Sequence, residues 1–112
     1  ITLWGTGNPR REFIHADDIA DASIWLLTKV GEDLDLPINV GVEMDYSIKE
    51  LAEHVANVVG YDGQINWDTS KPDGAPRKLL DSSRIKTTGW QAKTPFVQGL
   101  KDSYEWYLKH AK

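Results

Sequence analysis

The side chains best suited to chemistry in this sequence are basic, and they fall in two places. Arg10 and Arg11 follow the turn Gly5-Thr6-Gly7-Asn8-Pro9, and Lys71, Arg77 and Lys78 line a loop restrained by Pro72 and Pro76. Arginine offers a two-pronged fork that matches phosphate, and lysine offers a point charge. Gly5 and Gly7 let a ligand approach the backbone closely. Trp4, just before the turn, can stack on a flat ring or donate a hydrogen bond through its indole N–H. Together these parts suit a nucleoside diphosphate. A plainer reading stays open at this point: Trp4 belongs to the core, and the cations form surface pairs with neighbours such as Glu12 and Asp73.

Other chemistries find less support. The dinucleotide fingerprint G-x-G-x-x-G needs a third glycine where Arg10 stands, and it needs a helix directly after the turn. Here a strand is expected next, so the turn reads as that of a hairpin. No G-x-S-x-G nucleophile elbow occurs. A Tyr-x-x-x-Lys pair is also missing, because Glu50, Ile65, Leu108 and Ala111 stand four residues after the tyrosines. The chain therefore lacks the usual equipment of an autonomous reductase, and no catalytic residue is assigned within it. His15-Ala16-Asp17-Asp18 could suggest a metal site, but helix capping by Asp17 or Asp18 is sufficient reason for the acids. No metal site is assigned. His54 and His110 read as solvated helix residues.

Composition narrows the class. The 112 residues suit one domain, with 40% apolar and 27% charged side chains and five tryptophans. The net charge of −4 argues against a general nucleic-acid footprint. With no cysteine, the chain has no disulfide, zinc–thiolate site or thiol nucleophile. No apolar run approaches the ~20 residues that span a bilayer, so no membrane partner is expected. A start at Ile1 and a single methionine, Met44, raise the expectation of a piece cut from a longer protein.

The elements that must position these residues are short. Ile1–Trp4 and Glu12–His15 read as strands around the turn. A helix follows, with Ile19, Ala22, Ser23, Leu26, Leu27 and Val30 as a buried stripe and Gly31 as its stop. Glu32–Asp35 reads as a solvated loop, and Ile38–Val40 as a short strand. Ser47-Ile48-Lys49-Glu50 is a capping box with Tyr46 and Leu51 as a hydrophobic staple. The helix it opens presents Ile48, Leu51, Ala52, Val55 and Val59 on one face and ends at Gly60. Gln64–Trp67 reads as a strand and residues 69–78 as a polar loop with a Pro-Asp-Gly turn. Asp81 can cap a short helix through Ile85, closed by Gly89. Thr94-Pro95 reads as an N-cap with proline at the first helical position. Phe96, Leu100, Ser103, Tyr104 and Tyr107 then share one side of the last helix. Short strands alternating with about four helices make a small α/β domain over residues 1–112.

The segment from Trp4 to Ala20, W-G-T-G-N-P-R-R-E-F-I-H-A-D-D-I-A, resembles one common to extended short-chain dehydrogenase/reductases acting on nucleotide sugars. The stretch Ser70 to Asp81, S-K-P-D-G-A-P-R-K-L-L-D, is narrower and resembles the signature of the GDP-L-fucose synthase family. That resemblance implies the C-terminal, GDP-sugar-binding part of such an enzyme. The family converts GDP-4-keto-6-deoxy-D-mannose to GDP-L-fucose by 3,5-epimerisation and NADPH-dependent 4-reduction. It implies that NADP(H) and the catalytic groups belong to an N-terminal Rossmann domain absent from this chain, which alone is inactive. It further implies a cytoplasmic enzyme that is a homodimer when intact, with this piece a monomer. By the same resemblance Trp4 and Arg11 contact the GDP moiety, with Arg11 on the phosphates, and Lys78 reaches the nucleotide from the opposite loop. Arg77, Gly5 and Gly7 complete the substrate-binding set. The alternatives are another nucleotide-sugar epimerase or dehydratase, and a non-catalytic interaction module built on exposed Trp25, Trp67 or Trp106.

Overall fold

A computed structural model describes residues 1–30 and 37–111 of the chain. The helix stop expected at Gly31 and the loop Glu32–Asp35 lie outside the described residues, as does the side chain of Val30.

Among the described residues five short strands form two small sheets. β1 (Thr2–Trp4) pairs in parallel with β4 (Asn66–Asp68). β2 (Arg10–Glu12) lies between β3 (Asp45–Ser47), antiparallel, and β5 (Arg77–Lys78), parallel. The hairpin expected around the glycine turn is therefore not formed, because β1 and β2 belong to different sheets. The turn is instead tied to distant chain. Gly5 N–H donates to Asp68 O at 2.9 Å, which prolongs the β1–β4 ladder, while the Gly7 and Pro9 carbonyls accept from Lys49 and Ile48 N–H at 2.9 Å each. β2 also starts earlier than expected, at Arg10, because His15 is already committed to the next helix.

α1 (Ala16–Trp25) is capped by His15, whose Nδ1 accepts the Asp17 N–H at 3.3 Å. Neither acid caps it. Asp18 is buried, and its two carboxylate oxygens accept the N–H groups of Lys93 at 3.1 Å and Thr94 at 3.0 Å. Among the described side chains of the expected stripe only Ala22 is fully buried, and Leu27 is 81% exposed. The helix runs on into a π-helical turn, Leu26–Val30. Ile38–Val40 takes no strand partner, so that expected strand is absent.

α2 (Ile48–Val59) forms as its sequence dictates. Ser47 Oγ accepts from Glu50 N–H at 3.1 Å, and Glu50 Oε2 accepts from Ser47 N–H at 2.7 Å, closing the capping box. Gly60 ends the helix in the left-handed region, at φ 71°. Tyr46 stacks on Phe96 at 4.2 Å, with His54 edge-on to both rings. His54 is thus a packed residue, contrary to expectation, and it helps seat α2 on α4.

α3 (Ser83–Thr87) follows Asp81, whose Oδ1 accepts the Ser83 N–H at 2.9 Å. α4 (Phe96–His110) has Pro95, not Thr94, at its N-cap, because the Thr94 N–H is held by Asp18. Its buried position is Gly99, and Tyr107 and Ser103 lie outside the core. His110 stacks on Trp106 at 4.5 Å.

The fully buried apolar residues are Ala22, Ile85 and Trp90, flanked by Ile14, Trp25, Leu26, Ile38, Val40 and Ala92. Trp25 is half-buried and donates to Thr88 Oγ1 at 3.0 Å, and Trp67 is half-buried beneath Gly7. Of the three tryptophans proposed for an interaction surface, only Trp106 is exposed, at 63%.

Candidate functional site

The site is built where the glycine turn meets the Pro-Asp-Gly loop, two segments more than sixty residues apart. Asp73 makes the join. Its Oδ1 accepts the Thr6 N–H at 2.8 Å and its Oδ2 the Thr6 hydroxyl at 2.6 Å. These bonds hold the Asp73 carboxyl below its ordinary value, the hydroxyl contributing most. Gly5, at φ 83°, lies so close to Asp73 that a side chain there would strike its carboxylate. Gly7, at φ 79°, rests on the ring of Trp67.

Beside this join lies a small cavity of about 110 Å³, lined by Trp4, Gly7, Pro9, Arg11, Ile48 and the loop Pro72–Gly74. Trp4 is 74% exposed, which excludes it from the core and leaves its ring free for a planar group. Lys71 Nζ stands 5.6 Å from that ring's centroid, a cation–π distance. Arg11 turns its guanidinium toward the loop, with Nη1 donating to Arg10 O at 2.7 Å and Ala75 O at 2.8 Å. Carbonyls orient the charge without neutralising it. Among the described residues neither Arg11 nor Lys78 pairs with a carboxylate.

Register decides which cations cooperate. Arg11 and Lys78 are direct partners across the β2–β5 ladder, and Arg10 and Arg77 are the next pair. Side chains alternate along a strand, so Arg11 and Lys78 share one face of the sheet and Arg10 and Arg77 share the other. On that second face Asp45 accepts Arg10 Nε at 2.8 Å and also Arg77 Nε. Its carboxyl is held below the ordinary value by Arg10 first and Arg77 second. The expected pairs with Glu12 and Asp73 do not form. Glu12 accepts instead from the N–H groups of Val42 at 2.6 Å, Glu43 at 2.7 Å and Leu80 at 3.0 Å, tying β2 to two loops.

Of the residues singled out from sequence, Trp4, Gly7 and Arg11 thus meet in one cavity, Gly5 adjoins it through Asp73, and Lys78 stands beside Arg11. Arg77 does not join them. Lys71, read from sequence as one of the loop cations, stands over the Trp4 ring, whereas Asp45 and Thr6 were not singled out. Asp73 was read only as a possible ion-pair partner, although its place in the Pro-Asp-Gly turn was visible.

The N-terminus of α2 is not free for a phosphate. Its first N–H groups go to Pro9 O, Gly7 O and Ser47 Oγ. The glycine turn likewise does not fit a dinucleotide, since it leads through Pro9 into a strand and its backbone is occupied by α2 and Asp73.

Known proteins similar to this chain in sequence and fold are enzymes of nucleotide-linked sugars. The family model described as the NAD dependent epimerase/dehydratase family matches residues 1–41, which hold β1, the turn, β2 and α1. More particularly, the chain is 50% identical over 110 residues to the probable GDP-L-fucose synthase 1 of Oryza sativa subsp. japonica, covering 98% of this chain and 33% of that protein. It is 43% identical over 117 residues to the GDP-L-fucose synthase of Escherichia coli (strain K12), covering 98% of this chain and 36% of that protein. Among solved structures, the GDP-mannoheptose C4 reductase from Campylobacter jejuni with NADP bound superposes with a TM-score of 0.84 at 43% identity, over 96% of this chain and 34% of that one. The resemblance to GDP-L-fucose synthases, and the α/β fold it implies, therefore hold along almost the whole chain. The chain spans about a third of the length of the relatives it matches.

Proposed function

We propose that this chain is the GDP-sugar-holding part of a GDP-L-fucose synthase. The observation that carries the reading is the juxtaposition of Trp4, exposed at the lip of the cavity, with Arg11 and Lys78, two cations without carboxylate partners on one face of a sheet. An aromatic plate beside two free cations fits a base and a diphosphate. The names of the more similar relatives, GDP-L-fucose synthases and a GDP-mannoheptose C4 reductase, support guanine as the base.

In the intact enzyme the reaction is 3,5-epimerisation of GDP-4-keto-6-deoxy-D-mannose followed by NADPH-dependent reduction of the 4-keto group. The cofactor and the reacting groups belong to a dinucleotide-binding domain that this chain does not contain. The role of this chain is to bind the remote nucleotide and so hold the sugar in place, converting binding energy into orientation. Apolar side chains left at the surface, among them Ile24 at 62% and Leu27 at 81%, are candidates for cover by that domain. The intact enzyme is a cytoplasmic homodimer and the isolated chain a monomer. Among the described residues no helix is long and apolar enough to cross a membrane.

Arg11→Ala tests the reading directly. In the intact protein the substitution weakens GDP binding by about 1.5–3 kcal/mol, the range for a charged hydrogen bond. Calorimetry giving an unchanged dissociation constant would sink the assignment, and a preference for UDP over GDP would move it to a different nucleotide-sugar enzyme.

A further inference from the structure

We infer that Asp45 is a positioning residue of the phosphate site: it locks β5 against β2 so that Lys78 stands opposite Arg11. The inference deepens the reading of Arg11 and Lys78 as the diphosphate-holding pair, and it rests on that reading.

The two faces of the β3-β2-β5 sheet differ in charge balance. On one face Arg10 and Arg77 are ladder partners, and Asp45 arrives from β3 on the other side of β2. Its side chain is only 5% exposed, although Arg10 and Arg77 flank it at 40% and 60%. One oxygen takes Arg10 Nε, the other takes Arg77 Nε, and the Asp45 carbonyl accepts Arg10 Nη2 at 2.9 Å. One carboxylate thus spans all three strands. On the opposite face Arg11 and Lys78 stand side by side without a partner acid among the described residues. Like charges directly opposite each other in a ladder repel. Two uncompensated cations remain adjacent only if something else holds the strands together.

β5 is two residues long and exposed, and it sits at the edge of its sheet. Outside the Asp45 bridge its ties to β2 are the backbone bond from Arg10 N–H to Pro76 O at 2.8 Å and, on the flanking residues, the bonds from Arg11 Nη1 to Ala75 O at 2.8 Å and from Leu80 N–H to Glu12 at 3.0 Å. Of these side-chain ties, only the Asp45 bridge grips a residue of β5 itself. Glu50, the other acid near Arg10, lies at 3.4 Å and already serves the capping box of α2. The compensated trio on one face therefore sustains the uncompensated pair on the other. Because the two pairs are consecutive in the ladder, a loosened Arg77 displaces Lys78 directly.

The test is a double-mutant cycle on the intact protein, with GDP as the probe in isothermal titration calorimetry and circular dichroism confirming the fold. Asp45→Asn is isosteric and removes the charge that both guanidinium groups share. It is expected to raise the dissociation constant for GDP about tenfold. In a Lys78→Met background the same substitution is expected to cost almost nothing more, since the residue through which it acts is gone. A purely structural role for Asp45 predicts equal losses in both backgrounds, and that result overturns the inference. If Asp45→Asn binds GDP like the unaltered protein while Lys78→Met does not, the inference fails and the phosphate-site reading stands. If Lys78→Met itself leaves GDP binding unchanged, that reading fails and takes the inference with it. Should Asp45→Asn not fold, Arg77→Gln opens the same bridge from its exposed side. It is expected to show the same loss, and the same absence of further loss beside Lys78→Met; additive losses overturn the inference.

Discussion

At the scale of single residues, the glycine turn shows how one position serves both conformation and packing. Gly7 has φ 79°, and a Cβ placed on it would come within 2.7 Å of the Trp67 ring. Gly60 has a similar φ of 71°, but a Cβ there meets nothing within 4 Å. Gly60→Ala therefore costs only the left-handed penalty, about 1–2 kcal/mol. Gly7→Ala adds displacement of a half-buried ring under the site, for a total of about 2–4 kcal/mol. Urea unfolding of the two variants checks the ordering, and equal losses would show that Trp67 yields without cost. Both glycines were readable as turn or stop signals. The ring beneath Gly7 was not, because Trp67 is sixty residues further along the chain.

At the scale of elements, local rules performed well wherever the partners lie within one turn. The capping box and the left-handed glycine bound α2 at both ends, whereas α3 has Ser82 at its N-cap and Asp81, one position earlier, accepts the Ser83 N–H. The rules failed where a side chain chose a distant backbone. Asp18 sits in the first turn of α1, where acids commonly cap, yet it caps the approach to α4. Burial pushes its carboxyl up, but the hydrogen bonds from Lys93 and Thr94 outweigh burial and bring it below its ordinary value. A carboxyl with a lowered folded-state pKa stabilises the fold above its ordinary value, and that contribution fades as pH falls through the lower one. Asp18→Asn leaves one of the two N–H groups without an acceptor, a loss of about 1–3 kcal/mol near neutral pH. Thermal unfolding of both proteins from neutral to strongly acidic pH is the measurement. The gap between them is expected to narrow below about pH 4, and a gap constant with pH would refute this role for the Asp18 charge.

At the scale of the whole molecule, the small core is the dominant feature. Among the described residues three apolar ones are buried, and the radius of gyration is 16.9 Å, against roughly 13 Å for a compact domain of this length. Near the end of α4, Trp106, Tyr107 and Leu108 are each more than half exposed. Such a chain can hold a ligand group against a sheet, but it carries neither a Tyr-x-x-x-Lys pair nor a turn that fits a dinucleotide. Mixed with NADPH and GDP-4-keto-6-deoxy-mannose, the chain alone is expected to leave the NADPH absorbance unchanged. Steady oxidation of NADPH would refute the division of labour proposed here.

The sequence by itself determined the helices with strong caps, the turn residues, the cations available to a phosphate, and the missing catalytic equipment. Those properties depend on residue type and on neighbours a few positions away. It could not determine which cations act together. Arg10, Arg11, Arg77 and Lys78 look equivalent in a row of letters, and a patch of Arg11, Arg77 and Lys78 was the natural grouping. The tertiary structure divided that patch. Pairing β5 in parallel with β2 sends alternate side chains to opposite faces, and Asp45, more than thirty residues from either arginine, neutralises one face alone. Strand register and long-range charge pairing arise only when distant segments meet, so only the folded chain could separate the structural cations from those left free for a ligand.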